Sequence, residues 1–157
     1  MSRQFTERLQ EGQAVCGAYP QTINNSSISS QALWMGRIRR ARGFLWIGAI
    51  TSSGSVNFLA QSSATSGGSY ATITTSTNTQ LTVAPSITAI VTQNSYNAIE
   101  VRADQMTPGQ PYLKFTATET ASQNVVAAIF VVGDCSADGP GNQSDGVTWT
   151  NNIYAQP

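Results

Sequence analysis

The sequence predicts an all-β chain, an antiparallel β-sandwich or jelly roll of about seven or eight strands with an extended N-terminal arm and a C-terminal tail. Two patterns point there. Between Leu33 and Val132, short β-branched or aromatic runs are punctuated by turn residues at intervals of roughly 8–12. Several of these runs alternate polar and apolar residues, and none is a convincing long helix.

The elements follow in order. Residues 1–30 read as an arm: Phe5, Leu9 and Gln13 share one face of a short helical turn with Thr6 as a cap, and a Gly, Pro, Asn and Ser-rich stretch follows from Gly17. The sandwich is expected over residues 31–137. Residues 44–50 (FLWIGAI) form a nearly continuous apolar run, as for a strand buried on both faces, which places Trp46 in the core. A turn at 51–54 leads to a return strand at 56–61, and a Gly-rich turn at 66–69 leads to an alternating strand at 70–74. Apolar runs at 81–83 and 87–91 bracket Pro85, which removes a ladder donor and marks a bend or an edge. In 98–103, Ile99 and Val101 face one way and Glu100 and Arg102 the other. A turn at 106–109 precedes a strand at 112–117, with Leu113 and Phe115 opposed to Lys114. Residues 125–132 are the second wholly apolar strand. Residues 138–157 are a tail or a final strand, carrying Trp149 and Tyr154.

Composition narrows the function. Charged residues make up 10% of the 157, against about 25% in ordinary soluble domains. No charge occurs in residues 43–99, and over the whole chain 18 Ser, 18 Thr, 10 Asn and 13 Gln fill the polar positions. A free monomer normally scatters charges of both signs over its surface, so long neutral strands suit a subunit covered by neighbours. The six arginines before residue 50 give that part a net +4, and the part after 99 carries −4, an asymmetry that can pair the halves within one fold or between copies. The polar N-terminus has no secretory signal pattern and no apolar run approaches membrane-spanning length, so synthesis and use in a cytoplasm without membrane insertion are expected.

The chain has no histidine, which removes the common triads, Cys–His pairs and His-ligated zinc. Cys16 and Cys135 are expected to be free thiols acting as small hydrophobes. Glu100 with Asp104, or Asp134 with Asp138, are conceivable acid–base pairs, but they read better as a strand's polar face and as turn residues. Asp134, Asp138 and Asp145 match no EF-hand spacing. No catalytic residue, cofactor or metal is therefore expected. The chemistry-bearing cluster is Arg37, Arg39, Arg40 and Arg42, with Trp34 and Trp46 nearby in sequence. It suits an acidic surface of another subunit, or solvent and internal pairing; zero net charge and the lack of a binding motif speak against nucleic acid. Phe5, Leu9, Trp149 and Tyr154 are the further candidates for subunit contact.

Residues 44–134 resemble a group of small tailed-phage virion proteins encoded among head genes. The carrying features are the strand ending Ile47-Gly48-Ala49-Ile50 and a Gly turn, followed by Val56-Asn57-Phe58-Leu59-Ala60-Gln61-Ser62. Then come Gln80-Leu81-Thr82, Ile99-Glu100-Val101-Arg102-Ala103-Asp104-Gln105-Met106, Tyr112-Leu113-Lys114-Phe115 and a closing Gly133-Asp134, with Arg39-Arg40 before the first strand. Cys135-Ser136-Ala137 departs from that pattern, where an Arg or aromatic residue is more usual. The resemblance implies a β-sandwich that binds the outside of a head shell, as a homotrimer on the major capsid protein. Expected function is thus a non-catalytic capsid decoration or cement protein of the virion, assembled in the host cytoplasm. Its rivals are another virion component (head–tail connector, tail or spike base) and a carbohydrate-binding sandwich using Trp34, Trp46, Trp149 and the tyrosines as a stacking platform.

Overall fold

The computed structural model describes residues 13–135 except 37, 52, 79 and 80. Two antiparallel sheets face each other. The strands are β1 (Gln13–Ile23), β2 (Ser27–Ser29), β3 (Leu33–Trp34), β4 (Ile38–Ile50), β5 (Val56–Ser63), β6 (Ala71–Thr72), β7 (Ser86–Ile90), β8 (Ser95–Arg102), β9 (Tyr112–Glu119) and β10 (Val125–Cys135). One sheet runs β1-β10-β4-β8. The other runs β2-β9-β5-β6, with β3 also on β9 and β7 also on β5.

The ten strands occupy eight positions, because β2 with β3 and β6 with β7 are interrupted strands along the same neighbours. All connections between positions but the one after β5 cross from sheet to sheet, and this winding is the jelly roll expected from strand spacing. Strands of two or three residues fall below any periodicity signal, so β2 and β3 were not separable in sequence, while the strand expected at 70–74 is present as the shorter β6. Pro85 precedes β7, which lies at a sheet edge as its missing N–H requires.

The N-terminal arm expected over 1–30 is corrected by β1 and β2. Residues 13–23 pair with β10, and Ile23 and Ile28 are 2% and 3% exposed in the core. The physical reason lies in β10: a strand this apolar is covered on both edges, by β4 on one side and β1 on the other. The helical turn with Phe5 and Leu9, the tail with Trp149 and Tyr154, and Arg37 lie outside the described residues.

Between the sheets pack Leu45 and Ile47 of β4, Val56 and Phe58 of β5, Ile99 and Val101 of β8, Leu113 and Phe115 of β9, and Ile129 and Val131 of β10. Burying each such side chain contributes about 1.5–3 kcal/mol. Phe58 and Phe115 meet at 6.0 Å between ring centroids. Gly43 lets Phe115 approach β4 so closely that a Cβ there would lie 2.4 Å from its ring. Ser30 fills the gap between β2 and β3: its N–H donates to the Phe115 carbonyl (2.9 Å) and its Oγ accepts from the Phe115 N–H (3.1 Å).

At one end of the sandwich, the Glu119 side chain is 1% exposed. Its Oε2 accepts from the Asn25 N–H and its Oε1 from the Ala121 N–H, both at 2.7 Å. Burial opposes its ionisation, but backbone N–H groups of Asn25, Ala121, Gln123 and Ser55 together outweigh burial and hold the carboxyl below its ordinary range. One carboxylate thus ties the turn before β2, the turn before β5 and the turn after β9.

Candidate interaction face on the four-stranded sheet

The outer face of the sheet β1-β10-β4-β8 is built from the residues that alternate with the core. Along β4, Leu45 and Ile47 point in, so Phe44 and Trp46 point out and are half-buried. The expectation that this run is buried on both faces, with Trp46 in the core, is corrected: no second layer covers the outer side among the described residues. The register then lines up cross-strand rows. Tyr96, Trp46 and Ala128 form one, and Ala98, Phe44 and Phe130 the next. Phe44 and Phe130 lie 6.5 Å apart between centroids. Tyr96 is 78% exposed and Phe130 47%. Together with Ile129 these side chains line an open depression of about 560 Å³.

Further along the same face the rows become charged. Glu100, Arg42 and Val132 are followed by Arg102, Arg40 and Asp134. Arg40 Nε donates to Asp134 Oδ2 at 2.6 Å, Arg42 Nε to Glu100 Oε2 at 2.5 Å, and Arg102 bonds Asp104 through both Nε (3.0 Å) and Nη2 (2.9 Å). These pairs are exposed and screened by solvent, so they add little to stability. Their consequence is neutrality: the basic early stretch meets the acidic late stretch within one fold. Three of the carboxylates weighed as acid–base candidates are each held by an arginine. Asp138 lies outside the described residues.

Arg39 and Arg40 are both exposed because Asp134 faces Arg40 and Cys135 faces Ile38, leaving Arg39 as the extra residue of a bulge. Trp34 does not join the cluster. It sits on β3 opposite Tyr112, in the other sheet. That sheet's outer side carries its own cation–π contact, Lys114 Nζ lying 4.3 Å from the Tyr70 ring centroid. Cys16 on β1 is a free thiol packed on the core edge, and burial pushes its pKa up to about 12. Among the described residues no group of three or more Cys, Asp or Glu is placed to hold a metal ion.

Phe44, Tyr96 and Phe130 were not singled out in the sequence. The register sets them opposite in parity to the buried Leu45, Ile99, Ile129 and Val131, a side that the wholly apolar runs of β4 and β10 do not mark in sequence.

No protein-family model matches the chain, and no curated protein matches it. The motif likeness to head-gene proteins therefore stops short of a family assignment. Among solved structures, one titled as Bacillus endospore appendages, a family of disulfide-linked pili, is similar over 81% of this chain and 92% of that one, at 15% identity and a TM-score of 0.42. The SPBc2 prophage-derived protein YomS matches 76% of this chain and 92% of its own, at 13% identity and a TM-score of 0.41. A chain of the cyanophage Pam1 capsid asymmetric unit covers 80% and 87%, at 11% identity and a TM-score of 0.38.

Proposed function

We propose that this chain is a non-catalytic structural subunit of a tailed-phage virion, a decoration or cement protein on the outside of the head shell. The observation that carries the reading is the outward row of Phe44, Trp46, Tyr96 and Phe130, an apolar patch rimmed by paired charges on a charge-poor molecule. Contiguous exposed apolar patches of this kind mark protein-binding surfaces. The motifs that resemble head-gene proteins fall largely on β4, β5, β8, β9 and β10, the framework of this face and of the core behind it. The partners are the major capsid protein and further copies of the chain, in the homotrimer that the motif resemblance implies. The subunit-contact candidates Phe5, Leu9, Trp149 and Tyr154 add to this binding by multivalency.

A sugar-binding sandwich is the rival from another class. The depression is lined by Phe44, Trp46, Tyr96, Ala128, Ile129 and Phe130, in which only Trp46 and Tyr96 carry a side-chain polar atom. Sugars need several convergent hydrogen-bond partners, so a protein surface fits better.

The test is to purify particles from cells making this chain, identify its peptides in the particle band and label it with an antibody for electron microscopy. Label over the head surface is expected. Label at the neck or tail assigns it to another virion component, and a chain absent from particles overturns the reading.

A further inference from the structure

Among the described residues four sheet edges are open to a neighbour, and three are heavily guarded. β1 carries Pro20 and a bulge between Ala18 and Gln21, and its Gly17 N–H donates to the Gln31 side chain at 2.9 Å. The β2/β3 edge is broken into pieces of three and two residues. The β6/β7 edge is broken likewise, with Pro85 ahead of β7, Ala89 at φ +55° and the Ala89 N–H taken by Asn57 Oδ1. These are the devices by which sheets avoid edge-to-edge pairing. β8 is the least guarded: only its last residue has its N–H taken, Arg102 donating to Gln105 Oε1 at 3.0 Å, and its charges are confined to Glu100 and Arg102. It runs eight residues, Ser95–Arg102, without proline, glycine or a positive φ, and among the described residues no strand pairs with its outer edge.

We infer that β8 is a homotypic docking edge: it pairs antiparallel with β8 of a second copy, joining two four-stranded sheets into one. The strand is self-complementary. A register centred on Ile99 sets Tyr96 of each copy across from Arg102 of the other, a cation–π partner, and Ala98 across from Glu100. A register centred on Glu100 would oppose two carboxylates and is disfavoured. In this register the row of Tyr96, Trp46 and Ala128 on each copy runs on into the row of Arg102, Arg40 and Asp134 on the other, so the joined sheet alternates apolar and charged patches. The contact is two-fold, so within the proposed assembly it links neighbouring trimers. It deepens the assembly reading and rests on it only for where the pairing is used.

The full-length chain is followed by sedimentation and by hydrogen exchange of residues 95–102 over roughly a hundredfold range of concentration, because pairing follows mass action. Expected are a mass that doubles and amides of 95–102 that become protected as concentration rises. Tyr96→Lys places like charges opposite Arg102 and should weaken association at least about tenfold; adding Arg102→Glu should restore it. Tyr19→Ser, exposed on β1 at the opposite edge of the sheet, should leave pairing unchanged. The inference is overturned if 95–102 exchanges equally fast at all concentrations, if association occurs without protection there, or if Tyr96→Lys pairs like the parent. A chain found on virions that never protects β8 keeps the functional reading and ends this one.

Discussion

Single residues decide how tightly this sandwich closes. Gly43 sits on the inner side of β4 against the Phe115 ring, and Phe115 is fully buried. Gly43→Ala should force Phe115 off its position and cost about 1–3 kcal/mol, read as a lower denaturant midpoint with an unchanged slope. Phe115→Ala should cost about 3–5 kcal/mol by leaving a cavity. Glu119 makes stability depend on pH. Its folded pKa is depressed, so the stabilisation is present above the ordinary carboxylate value of 4.5 and is lost as pH falls through the lower folded value. Glu119→Gln keeps one acceptor but turns an NH2 toward backbone N–H donors. Thermal melts from neutral to acid pH should show the variant melting lower at neutral pH with a flatter acid limb. An acid limb identical to the parent's would assign the pH dependence elsewhere.

At the scale of elements, alternation sorts each strand into a core side and an outer side. Ile99 and Val101 against Glu100 and Arg102, and Leu113 and Phe115 against Lys114, were legible because polar residues mark the wet side. In β4 and β10 both sides are apolar, so sequence alone could not say that Phe44, Trp46 and Phe130 face outward. Only the topology shows that nothing covers them among the described residues. β1 was hidden for the opposite reason: Gly17, Pro20 and the polar residues around them carry turn chemistry, and β10 imposes the pairing. Phe44→Ser and Phe130→Ser remove apolar outer-face area without opening the core. Each should shift stability far less than Phe115→Ala, a contrast that parallel unfolding curves measure. A loss as large as that of Phe115→Ala would mean the outer rings support the fold rather than present a surface.

For the whole molecule, the jelly roll follows from strand spacing and apolar pattern. The proposed function rests on what that roll leaves outside. Arg40 with Asp134 and Arg42 with Glu100 offset two of the four excess charges on each half of the chain within one fold, an assignment that sequence could not make between one fold and two copies. What remains on the four-stranded sheet is a neutral surface whose distinctive feature is four aromatic side chains. The Trp34 expected beside the arginines lies on the other sheet, because β3 and β4 cross between layers. The central claim is that this face docks on a head shell. Its most direct measurement is banding of the purified chain with tailed-phage heads on a density gradient, parent beside the Phe44→Ser/Phe130→Ser double variant, with the variant's fold verified by circular dichroism. The parent should band with the heads and the folded variant stay at the top; a parent left at the top, or a variant that bands with the heads, rules out docking through this face.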